Sequence, residues 1–205
     1  MCAEMIAEAP PKRIRKSEQM RLDQPSGKPI TADELYRMGD IGPAELINGE
    51  IVKQMPTGHP HGFIENMIAF FLTLFVREHK SGRVITGEVG IITRRDPYSV
   101  RAADVAYISK ERLAQAQEEG FLDVAPELVV EIMSPGNSWS EAQEKLAEYF
   151  ASGVQMVWIV DPQLAQIHVY RDLERVRLLR GADVLTGEEI LPGFQVALSE
   201  IFEAE

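Results

Sequence analysis

The run ELVVEIM from Glu127 to Met133 limits the possible folds of this chain more than any other segment. Pro126 introduces it and Ser134-Pro135-Gly136-Asn137 breaks it. Between them β-branched and apolar residues fill almost every position, the composition of a central strand buried on both faces. Side chains alternate across a strand, so Leu128, Val130 and Ile132 share one face and Val129, Glu131 and Met133 the other. Glu131 therefore sets a carboxylate among apolar neighbours, and a buried charge without a partner is costly.

The flanking segments supply the other elements. Ser138 with Glu141 has the capping-box spacing and opens a helix expected to reach about Ala151, with Gly153 near its stop. MVWIV, 156–160, reads as a second buried strand, and Gln166 to Tyr170 pairs back to it across the Asp161-Pro162 turn. Upstream, Thr31 and Glu34 cap a short helix over 32–38, and Asn48-Gly49 between two apolar pairs in 44–53 is a strong hairpin signal. Apolar residues at 63, 64, 67, 68, 71, 74 and 75 have the one-sided period of a helix packed on a core. Val84 to Thr93 and Val100 to Ile108 read as paired strands joined by RRDPYS; 109–117 as a surface helix; and the segment from Arg175 onward as a hairpin with a short amphipathic end. Strands bracketed by helices predict an α/β (α+β) domain over 31–205 with a central mixed β-sheet. Residues 1–30, rich in proline and carrying the basic stretch Lys12 to Lys16, read as a flexible tail.

The chain has 205 residues, a formal charge of -11 and one cysteine. That length buries a core without disulfides or structural metal, and no apolar run approaches the ~20 residues of a membrane span. A cytoplasmic location follows as the default. The acidic balance argues against gripping nucleic acid through a broad basic surface, so any such contact is local or depends on metal ions.

Two further acids sit in strand-like runs: Asp104 in RAADVAYIS, where Ala102 and Ala106 share its expected face, and Glu88 in ITGEVGII. Three carboxylates converging on one sheet raise each other's pKa unless a cation sits among them, and a hard divalent ion with oxygen ligands answers that need. Taken one at a time, each acid is better explained as an edge-strand or ion-paired residue with Arg101, Arg94 or Arg95 as partner; taken as a set with Lys145, the cation is the better account. Lys145 lies in the helix after the Glu131 strand; a solvated pair with Glu141 is the plain account, an ammonium brought to the carboxylates the functional one. The histidines His59, His61, His79 and His168 form no zinc pattern, and His61 stands at the start of the long helix. Ser134 lacks a nucleophile elbow, and no phosphate loop occurs.

Asn48-Gly49-Glu50, VRAADVA at 100–106, LVVEIMSPGNS, EKLAEYFASGV and WIVDP together resemble the Uma-two family of restriction endonucleases, itself similar to the PD-(D/E)xK nuclease superfamily. The resemblance runs from about Glu45 to Tyr170. It implies a restriction-endonuclease-like core and Mg²⁺-dependent hydrolysis of DNA phosphodiesters, with Mn²⁺ as a substitute ion and a homodimer as the assembly. By position it implies Asp104 and Glu131 as metal ligands, Glu88 as an additional one, Lys145 as the catalytic lysine moved to the following helix, and His61 as the histidine opening the first long helix. The chain departs from the pattern at Ala103, where a proline is usual, at Met133, so that no strict E-x-K occurs, and at Glu141, where relatives carry Asp. The alternative is a catalytically inactive nuclease-fold module that binds nucleic acid or a protein partner; a third is a structural dimer whose acids are ion-paired.

Overall fold

The computed structural model describes residues 28–203 and, ahead of them, the two-residue strand β1 (Met20–Arg21). The tail expected over 1–30, with its basic stretch, falls mostly outside the described residues. Thr31 closes a capping box with Glu34 and starts α1 (Ala32–Arg37). β2 (Ala44–Ile47) and β3 (Glu50–Lys53) form the expected hairpin, and Asn48 and Gly49 both take positive φ, 54° and 79°, as a two-residue turn matched to strand twist requires. β1 adds to this hairpin by pairing antiparallel with β3.

α2 (His59–His79) buries Ile64, Ile68, Leu72 and Val76 at four-residue spacing against the sheet. β4 (Gly82–Arg95) and β5 (Tyr98–Ser109) make a long antiparallel pair. The surface helix expected over 109–117 shortens to α3 (Lys110–Leu113), none of whose residues is buried, so no core contact extends it beyond its first turn. β6 (Leu128–Ile132), α4 (Trp139–Ser152) and β7 (Met156–Asp161) then make a crossover unit whose strands pair in parallel. β8 (Gln166–Tyr170) and β9 (Val176–Arg180) extend the sheet antiparallel. The chain continues through the hairpin β10 (Val184–Gly187) and β11 (Leu191–Ala197) to the short α5 (Leu198–Phe202).

The result is the expected α/β architecture, a mixed and mostly antiparallel central sheet flanked by helices. α2, α5 and the last hairpin cover one face through Val105, Leu128, Val130, Trp158 and Phe194. On the opposite face α4 packs through Leu146 and Tyr149 on Ala106, Val129, Val157 and Ile159. No helix among the described residues is long and apolar enough to cross a membrane.

Candidate active site

The site lies where the sheet forks. One edge of β5 pairs with β4 along its length; β2 pairs with β5 at Leu46↔Val100, and β6 pairs with it from Val105↔Val130 to Tyr107↔Leu128. The β5–β6 ladder stops one residue short of Asp104, and the amide that would continue it, Ile132 N–H, donates to Asp104 Oδ2 at 2.7 Å. On the β4 side, Thr86 opposes Val105 and Val89 opposes Ala103, so Gly87 and Glu88 bulge out together opposite Asp104. Both take positive φ, 84° for Gly87 and 57° for Glu88. For Glu88 that is a sparsely populated backbone state, the kind of strain that persists where a site needs it. Simple alternation along β5 does not hold here. Ala106 packs toward α4, whereas Asp104 meets His61 of α2.

On the α2 side, His61 Nε2 is 3.4 Å from Asp104 Oδ2, and His61 Nδ1 is 4.0 Å from Glu65 Oε2, one helical turn on. Ligand atoms of His61, Glu65 and Asp104 all lie within 4.8 Å of one another. The region is acidic and under-neutralised: among the described residues, neither lysine nor arginine pairs with Asp104, Glu65 or Glu88. Burial, then Asp104, pushes the carboxyls of both Glu65 and Glu88 up. Burial disfavours the His61 imidazolium, but Asp104 and Glu65 outweigh it and hold its pKa above the ordinary histidine value. His61 Nδ1 is buried without a hydrogen-bond partner, an expensive arrangement for a polar atom.

On the α4 side the charges are matched. Lys145 Nζ lies 2.8 Å from Glu131 Oε2 and 2.9 Å from Glu45 Oε1. Tyr149 donates its hydroxyl to Glu131 Oε1 at 2.5 Å. Glu45, 1% exposed, also accepts from Arg101 Nη1 at 2.9 Å and from the Ala102 amide at 3.1 Å. Arg101 then forks onto Glu148 at 2.7 and 2.8 Å. Burial, with Asp104 and Glu45 as like-charged neighbours, pushes the Glu131 carboxyl up to about 7 against the pull of Lys145. Lys145 is held as an ammonium: burial opposes its charge, but Glu131 and Glu45 overcome it.

A cleft of about 90 Å³ joins the two sides, and all five residues singled out in the sequence, His61, Glu88, Asp104, Glu131 and Lys145, line it. His61 and Asp104 belong to the close ligand cluster; Glu131 and Lys145 bond to each other on the α4 side; Glu88 forms part of the wall. The solvated Glu141–Lys145 pair gives way to the pairs with Glu45 and Glu131, while the Glu141 carboxylate accepts the Ser138 amide in the capping box. Arg101 pairs with Glu45 and Glu148 rather than with the three expected acids. Glu45, Glu65 and the Tyr149 hydroxyl were not foreseen. Glu65 carried a signal, the i,i+4 spacing from His61 on a helix, whereas Glu45 meets Arg101 across 56 residues and becomes visible only with the topology.

The α2-side residues suit a divalent cation. A buried orphan imidazole nitrogen, a carboxylate whose Oδ1 carries no hydrogen bond among the described residues, and two acids with raised pKa form a mixed N and O donor set in need of positive charge. Among curated proteins there is no significant match. Among solved structures, the crystal structure of a putative nuclease belonging to DUF820 from Anabaena variabilis matches with a TM-score of 0.71 and 22% identity, covering 85% of this chain and 98% of that one. At that identity the likeness speaks for the fold. The family profile Uma2, described as "putative restriction endonuclease", matches residues 32–199, most of the chain, and the protein belongs to that family.

Proposed function

We propose that this protein is a divalent-metal-dependent endonuclease that hydrolyses phosphodiester bonds in DNA, with Mg²⁺ as the ion and Mn²⁺ as a working substitute. The observation that carries the reading is the convergence of an under-neutralised donor cluster and a lysine–glutamate pair on one small cleft. Family membership supports nuclease chemistry. Asp104, His61 and Glu65 would hold the ion, with Glu131 as a further ligand and Glu88 close enough to act through water. When bound, such an ion stabilises charge on the phosphoryl oxygens and makes water a better nucleophile.

The protein's own groups do the remainder. Lys145 presents a fixed ammonium beside the cleft, where it orients the attacking water and offsets charge on the phosphate in flight. Glu45 keeps that ammonium anchored on one side, so Glu131 is free to change partners. The Ile132 amide holds Asp104 in one rotamer without consuming both of its oxygens. Cutting two strands with one such cleft per chain calls for two copies acting together, and light scattering showing a monomer on DNA would count against that part of the proposal.

A binding module without catalysis is favoured by one observation: Lys145 and Tyr149 already satisfy both oxygens of Glu131. Cleavage of plasmid and linear duplex DNA in Mg²⁺, by wild type and by Glu131→Gln, separates the two. The nuclease reading expects cleavage by wild type alone; the binding reading expects none by either, with equal DNA affinity.

A further inference from the structure

The apolar residues of α2 serve two faces. Ile64, Ile68, Leu72 and Val76 turn onto the sheet. Phe63, Met67, Phe70 and Leu74 follow one another at spacings of four, three and four, the a and d pattern of helices that pair lengthwise. At 100° per residue they share the side turned away from the sheet. Phe63 is 37% exposed, Phe70 54% and Leu74 58%. A helix apolar on every side belongs in an interior, yet among the described residues this side of α2 stays open.

The face is also uncharged. No acidic or basic residue lies between Glu65 and Arg77, and Glu65 turns to the ligand cluster with His61 and Asp104. From Phe63 to Leu74 that makes about 17 Å of neutral stripe on a chain of formal charge -11. Copies of so acidic a chain repel each other; on this stripe they meet without opposing charges. The helix ends fit an antiparallel partner. With Phe63 level with Leu74 of a second copy, and Met67 with its Phe70, each Glu78 comes level with the first turn of the other α2. That turn holds no acid and its cap makes no side-chain hydrogen bond. An acid is poorly placed at its own helix's C-terminus and well placed beside a neighbour's N-terminus.

We propose that this face of α2 is the interface for a second copy of this chain, the two α2 helices packing antiparallel about a twofold axis. A single stripe of this length makes a contact below the ~1,200 Å² of stable complexes, so the dimer is a weak one that concentration promotes. His61 and Glu65 ride on the same helix. On the nuclease reading of the cleft, on which this step alone rests, the pairing sets the two ion sites about 20 Å apart along the helix axis, inside one ~34 Å turn of duplex. One dimer then reaches both strands.

Sedimentation velocity of the full chain from about 1 to 200 µM, the range of weak association, is expected to show a monomer–dimer equilibrium. Phe70→Glu should weaken it about tenfold or more with the thermal unfolding midpoint nearly unchanged, since the side chain lies outside the core. Leu164→Glu, at an exposed position between β7 and β8, should associate as wild type does. Register is read by disulfide crosslinking in a Cys2→Ser background, Cys2 being the single cysteine. An equal mixture of Phe63→Cys and Leu74→Cys should crosslink, and neither variant alone. A chain monomeric throughout, association untouched by Phe70→Glu, a mixture that does not crosslink, or either variant crosslinking by itself overturns the proposal. Cleavage assays on duplex DNA separate it from the nuclease reading. Dimerisation without any cleavage sinks the nuclease and leaves the interface; cleavage by a chain that stays monomeric sinks the interface alone.

Discussion

The two sides of the fork in the sheet hold similar residues in opposite electrostatic conditions. Toward α4, Glu45, Glu131 and Glu148 are met by Lys145, Arg101 and the Tyr149 hydroxyl in a network of bonds between 2.5 and 2.9 Å. Toward α2, Asp104, Glu65 and Glu88 form no ion pair with lysine or arginine among the described residues, and His61 leaves one buried nitrogen unbonded. Buried charges are tolerated when paired, so the first side is finished by the chain itself. The second keeps carboxyls whose pKa burial and like-charged neighbours push up. On the proposed reading the ion sits on the under-neutralised side, and the balanced side holds the lysine in place for it.

Substitutions on the two sides should behave differently. The largest effect is expected from Asp104→Asn, which keeps an acceptor for the Ile132 amide but removes the central charge. Cleavage rates should fall by about three orders of magnitude with the thermal unfolding midpoint nearly unchanged. On the balanced side the reverse is expected. Glu45→Ala leaves Arg101 and Lys145 facing each other without their shared acid, and denaturant titration should show a loss of roughly 3–5 kcal/mol. Adding Mg²⁺ at about a hundred times its Kd should stabilise wild type by ~2.7 kcal/mol and leave Asp104→Asn unmoved, readable as a shift in melting temperature. A smaller effect, ~1–3 kcal/mol, is expected from Tyr149→Phe, which strips one donor from Glu131. The smallest is Ser138→Ala, the α4 cap, at ~1 kcal/mol by the same denaturant assay; a much larger loss there would show that α4 carries the site less rigidly than the network implies.

Much of this molecule can be read in its residues, for identifiable reasons. Local chemistry announces the Asn48-Gly49 turn, the two capping boxes and the apolar period of α2, and each stands where those signals put it. Glu131 and Asp104 were conspicuous because a carboxylate in a strand-like run defies its surroundings. What stayed hidden depends on non-local geometry. Asp104 meets His61 of α2 against the expected alternation, and the bulge at Gly87-Glu88 sets a second acid on the strand opposite it. Glu45 looks like any polar residue of a hairpin until β2 and β6 are seen to share an edge of β5. The Tyr149 ring is buried in the core; its hydroxyl reaches Glu131 because α4 crosses that face.

Whether the α2-side cluster takes a divalent cation is decided by calorimetric titration of Mg²⁺ and Mn²⁺ into wild type and Asp104→Asn, with and without a cleavage-resistant oligonucleotide. Saturable binding to wild type, tightened by the oligonucleotide and abolished in Asp104→Asn, is the expected result. Binding of equal strength in both proteins, or none in wild type even with the oligonucleotide present, would contradict it.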